Sequence, residues 1–129
     1  VPEVWYWHGN EIDIHAPFLF ALAGDVEQGD MWIQWIMKNR YFNAPAGLAG
    51  NDDGGTLSAW YVWASMGLYP MAGTERYVLT LPIWERISVP EAGLDIRRES
   101  TTRSAVEVEG SAWNHPDIWH DQLGNIVFR

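Results

Sequence analysis

The sequence predicts an α+β protein, with about three helices followed by a tail of short β-strands. Three observations carry this. In "MWIQWIMKNRYF", residues 31–42, Trp32, Ile33, Trp35, Ile36 and Met37 form a broad helical stripe. "LSAWYVWASM", residues 57–66, is apolar almost all round. Beyond residue 74, β-branched runs separated by Gly and Pro replace the helical spacing.

The elements follow in order. Residues 1–13 read as a loop with aromatic anchors. Asp13 is expected to cap a helix running to about Ala23, with Pro17 tolerated near its first turn and Gly24 as its stop. Asp30 is expected to cap the second helix. Residues 43–55, "NAPAGLAGNDDGG", form a loop by their Gly, Pro, Asn and Asp content. Thr56 is expected to cap the third helix, which Gly67 and Pro70 end. Its all-round apolar surface calls for burial in a larger helical body, whose other walls are expected outside this chain. "RYVLTL", "RISV", "SAVEVE" and "NIVFR" read as strands. The expected division is a helical part, 1–74, and a β part, 75–129.

The chain has 129 residues and a formal net charge of −9, without a basic cluster, so a nucleic-acid partner is not expected. It has no cysteine, which excludes disulfides and thiolate metal sites. Its apolar runs are too short and too interrupted for a membrane-spanning helix. Nine tryptophans exceed ordinary usage; they serve cores and also stack on flat ligands, sugars included. An opening on "VPEVWYWHGNE", without a methionine, reads as a piece of something longer.

Two polar clusters precede helices. Asp52 and Asp53 lie just before the third helix, where free backbone N–H groups and the helix dipole favour a carboxylate. That environment suits a general base or a metal ligand better than a general acid. Simple capping is the alternative reading. The second cluster, "HGNEIDIH", holds His8, Asn10, Glu11, Asp13 and His15. Its oxygen donors suit a hard cation such as calcium, although neither cluster has EF-hand spacing. His115 and His120 read as surface or satisfied histidines. If the two helices run the same way, both loops face one aromatic-lined cavity, and carboxylates in such a cleft are the usual equipment for handling sugars.

Two blocks carry a family resemblance. "GNEIDIHAPFLFALAG" and "GLAGNDDGGTLSAWYVWASMGLYP" resemble the Gly-Asn-Glu-Pro and Gly-Leu-x-Gly-Asn-x-Asp-x-Gly segments of glycoside hydrolase family 92, the calcium-dependent exo-α-mannosidases. "RYVLTLPIWERISV" is similar to the strand region that follows them. The resemblance implies the last helices of an (α/α)6 barrel, with strands returning toward an N-terminal β-sandwich. It implies catalytic roles for Asp53, as general base, and Asp52. It also implies substrate contacts from Glu11, His8 and Asn51, and a Ca2+ ion held by Asn10, Glu11 and Asp53. The implied reaction is inverting release of terminal mannose from α-mannosides such as α-1,2-linked mannose or N-glycans, in an extracellular or periplasmic setting. The family's general acid lies upstream of the region represented here, so the isolated chain is expected to be inactive and to need the missing N-terminal part. Ile12 replaces the family's proline, and Gly29-Asp30 replaces a Thr-Gln pair. The alternative is a non-catalytic carbohydrate-binding or structural module derived from the family.

Overall fold

A computed structural model describes residues 6–129. The part of the expected aromatic loop before Tyr6 lies outside them. Three helices come first: α1 (Ala16–Leu22), α2 (Val26–Arg40) and α3 (Thr56–Met66). Eight short strands follow: β1 (Leu68–Pro70), β2 (Arg76–Leu79), β3 (Arg86–Val89), β4 (Leu94–Arg98), β5 (Val106–Val108), β6 (Ser111–Ala112), β7 (Asp117–Trp119) and β8 (Asn125–Phe128).

The helix starts differ from those expected. His15, not Asp13, precedes α1, and the Asp13 carboxylate instead accepts from Asn10 Nδ2 at 3.2 Å. Asp25 caps α2 by accepting from the Gln28 amide at 3.2 Å. Glu27 in the first turn and Lys38 and Arg40 in the last complement the α2 dipole. Asp30 therefore sits inside the helix, buried, and is not its cap. Gly55 occupies the cap position of α3, and Thr56 is its first residue.

The strands form two sheets. One is antiparallel, in the order β1-β2-β7. The other has the order β3-β4-β8-β5-β6, with β4 and β8 parallel. The three-stranded sheet is a shared layer. Val78 joins the helical core of Ile14, Phe18, Ile33, Ile36, Leu57 and Trp60. Leu68 and Leu79 join the other core, with Ile96, Ile118, Ile126 and Phe128. Successive strand residues point to opposite faces, so one short sheet closes both cores. Residue 74, the expected boundary between a helical and a β part, lies in the turn between β1 and β2, so the first strand falls on the helical side of it. Although α3 is apolar almost all round, Val62 remains 54% exposed.

Gly67 makes the helix-to-sheet transition possible. It ends α3 in the left-handed region, at φ 77°, and its carbonyl accepts from the Thr80 amide at 2.9 Å. An added Cβ would stand 2.4 Å from the Thr80 carbonyl oxygen. Gly67→Ala is expected to lower stability by more than the roughly 1–2 kcal/mol of the left-handed conformation alone. Gly73→Ala has a similar φ, 76°, and nothing nearby to strike, so it should show only the conformational cost. Denaturant midpoints of the two variants check this; equal losses would mean that the close contact carries no energy.

Candidate active site

The two polar loops meet. Gly9 and Gly50 touch through their backbones: a Cβ on Gly50 would lie 3.2 Å from the Gly9 Cα, and one on Gly9 would lie 3.0 Å from the Ala49 carbonyl oxygen. Either added carbon would press the strands of chain apart. Across this contact the Thr56 hydroxyl lies 2.8 Å from the Asp53 carbonyl oxygen and 3.2 Å from Glu11 Oε1. One side chain thus joins residues 45 positions apart in sequence. Deeper in, the Trp60 indole N–H donates to the Ile14 carbonyl at 2.8 Å and ties α3 to the end of the first loop.

The paired aspartates have different surroundings. Asp52 Oδ1 accepts from the Ser58 amide at 2.9 Å, and the Asp52 carbonyl accepts from Gly55 and Leu57. Asp52 therefore supplies the side-chain capping bond that Gly55 cannot. Asp53 has φ 51° and is followed by Gly54 and Gly55 at 70° and 103°. Three successive left-handed residues swing the chain outward, and aspartate tolerates that region better than most side chains. The Asp53 carboxylate is exposed, with no hydrogen bond or ion pair to another described residue. Asn10, Glu11 and Asn51 are exposed on the same two loops.

His8 lies elsewhere. It is 0% exposed and packs edge-on against Trp60, with ring centroids 4.3 Å apart. Both ring nitrogens are occupied, Nδ1 by the Tyr6 hydroxyl at 2.7 Å and Nε2 by the Tyr41 hydroxyl at 2.6 Å. The direct sugar contact expected of His8 is closed off in this structure. Burial, and secondarily the nearby Arg40 guanidinium, hold its pKa down at about 4, so the ring is neutral near pH 7. Burial likewise raises the Tyr6 and Tyr41 phenols above their ordinary range, keeping both as O–H donors. The sequence offers one faint sign of this cluster: a histidine set among Tyr6 and Trp7 beside apolar positions.

The donor set that the resemblance implies for a cation is oxygen alone: the Asn10 amide and the Glu11 and Asp53 carboxylates. That chemistry fits calcium. Among the described residues no three His, Cys, Asp or Glu side chains cluster closely enough to hold a metal. A cation at these residues would need further oxygen donors.

The catalytic-domain profile of glycosyl hydrolase family 92 matches residues 2–129. The chain belongs to glycosyl hydrolase family 92. Its structure is similar to that of the family GH92 α-mannosidase BT3965 from Bacteroides thetaiotaomicron in complex with mannoimidazole. The TM-score is 0.88 and the identity 28%, over 95% of this chain and 18% of that one. The GH92 inverting mannosidase BT2199 of the same organism gives a TM-score of 0.78 at 25% identity, again over 95% of this chain and 18% of that one. A protein of Arthroderma benhamiae described as an uncharacterized secreted glycosidase is 32% identical over 81 residues, 63% of this chain and 10% of that protein. The family 92 chain thus spans less than a fifth of the length of these relatives. Among its described residues no helix is long and apolar enough to cross a membrane.

Proposed function

We propose that these residues form the base-bearing corner of an exo-α-mannosidase active site, within the last helices of an (α/α)6 barrel. The observation that carries this reading is the superposition of 95% of the chain on an α-mannosidase solved with mannoimidazole. The local geometry supports it, because the exposed Asp53 carboxylate stands at the entry to α3, on the loop that Thr56 joins to Glu11.

In this reading Asp53 takes a proton from the water that attacks the anomeric carbon. A carboxylic acid from a part of the family fold outside these 129 residues protonates the leaving oxygen. Such acid and base groups stand roughly 6.5–9.5 Å apart, leaving room for the water, and the product inverts. Asp52 holds the first turn of α3 and so fixes where Asp53 points. Glu11 and Asn51 contact the terminal mannose. Asn10, Glu11 and Asp53 would contribute oxygens to a calcium ion, which when bound would grip sugar hydroxyls and help distort the ring. The substrates are α-mannosides, α-1,2-linked mannose among them, met outside the cell or in the periplasm. The 129-residue chain alone is expected to be inactive.

The test is turnover of α-linked mannobioses by the protein as its gene encodes it, with product configuration followed by proton NMR from the first minutes. Release of β-mannose supports the reading. Initial release of α-mannose refutes inversion. No turnover with calcium supplied favours a non-catalytic module.

A further inference from the structure

The buried histidine belongs to a chain of hydrogen bonds whose direction follows from its Leu57 end. The Leu57 carbonyl can only accept, so the Tyr41 hydroxyl, 3.0 Å away, donates to it. The Tyr41 oxygen then accepts from His8, so Nε2 carries the ring proton. Nδ1 of the neutral ring is left as an acceptor, and the Tyr6 hydroxyl donates to it. Every bond in the series from Tyr6 to Leu57 then runs the same way, each donor facing an acceptor.

The series links three separate pieces of backbone. His8 lies on the loop that presents Asn10 and Glu11. Tyr41 follows the last residue of α2. Leu57 is the second residue of α3, and its amide donates to the Asp52 carbonyl at 3.2 Å. Trp60 closes the cluster, parallel to Tyr41 at an interplanar angle of 5° and edge-on to His8. We infer that Tyr6, His8 and Tyr41 form an internal strut that sets the acidic loop 51–53 against the Asn10–Glu11 loop. His8 is then a positioning residue that acts through α3 and does not touch the sugar. A misplacement of about 1 Å at a reacting group can cost on the order of 10²-fold in rate, so the strut bears on catalysis without contacting substrate.

This inference rests on the mannosidase reading, and the experiment separates the two. In the protein as its gene encodes it, Tyr41→Phe removes one hydroxyl and keeps the ring that stacks on Trp60. Amide exchange over 51–58 is followed by mass spectrometry, and kcat and KM are measured on 4-nitrophenyl α-mannoside. The strut predicts faster exchange over 51–58 and a kcat lower by roughly 10- to 100-fold, with KM little changed. His8→Gln can accept from Tyr6 and donate to Tyr41, and should recover most of the kcat that His8→Phe loses. If His8→Phe does not fold, Tyr41→Phe decides the matter alone. Wild-type exchange and kcat in a folded Tyr41→Phe protein would overturn the inference, as would faster exchange with kcat unchanged. A wild-type protein without turnover would refute the mannosidase reading and the catalytic half of the inference. Exchange over 51–58 would then still decide whether the strut anchors the loop.

Discussion

Asp53→Asn is expected to lower kcat on α-mannosides by about 10²–10⁴-fold while leaving the unfolding midpoint near wild type. Asparagine is nearly isosteric with aspartate and accepts the left-handed conformation that Asp53 adopts, at φ 51°. The backbone carbonyl that meets the Thr56 hydroxyl is unchanged. What disappears is the carboxylate that could take a proton from water. Asp52→Asn offers the contrast. It keeps an oxygen for the Ser58 amide, so its effect should be far smaller than that of Asp53→Asn. Azide, a nucleophile that needs no deprotonation, should restore part of the Asp53→Asn loss. A kcat within a few-fold of wild type would remove Asp53 from the role of base.

The largest stability loss is expected at Arg103→Met. Its side chain is 6% exposed, and its Nε stands 3.1 Å from Asp30 Oδ2. Nη1 donates to the Leu79 carbonyl at 2.8 Å, while Asp30 Oδ1 accepts from the Leu81 amide at 2.8 Å. Burial raises the Asp30 pKa and lowers that of Arg103, each against the pull of its partner. The intact pair thus adds little net stability, whereas half of it is costly. Removing one partner of a buried pair typically costs about 3–5 kcal/mol. The double variant Asp30→Leu/Arg103→Met should recover much of that, less the cost of an unpaired Leu81 amide. Urea midpoints for the two single variants and the double variant form the cycle. A loss under about 1 kcal/mol for Arg103→Met would show that water reaches the pair and screens it.

That same pair shows why the helix caps were hard to read. Asp30 has the residue type and local setting of a cap, but its partner lies 73 positions away, and Asp25 serves the helix instead. Helices α2 and α3 were legible because apolar spacing over ten or more residues is a strong signal, whereas the seven-residue α1 was legible from Pro17 and Gly24. Strand β4 was not: Leu94 and Ile96 alternate with Asp95, Arg97 and Arg98, and charge obscured the pattern. Strand β1 is three residues long and ends in Pro70, which also reads as a helix stop. At the site, Asp52 and Asp53 were visible as a pair, but the division between a capping residue and an exposed carboxylate needed backbone geometry. The burial of His8 depends on Tyr41, 33 residues on, and no local spacing reports such a contact.

The sheet shared by the two cores also constrains how this chain can evolve. Val78 and Leu79 are neighbours that serve different cores. A residue inserted or deleted within β2 would turn both faces over together, and no single compensating substitution could repair two cores. The turn at 71–75 lies outside that register, and Gly73 has open space around it. Length variation among descendants of this chain should therefore gather in that turn, while β2 itself changes only by substitution.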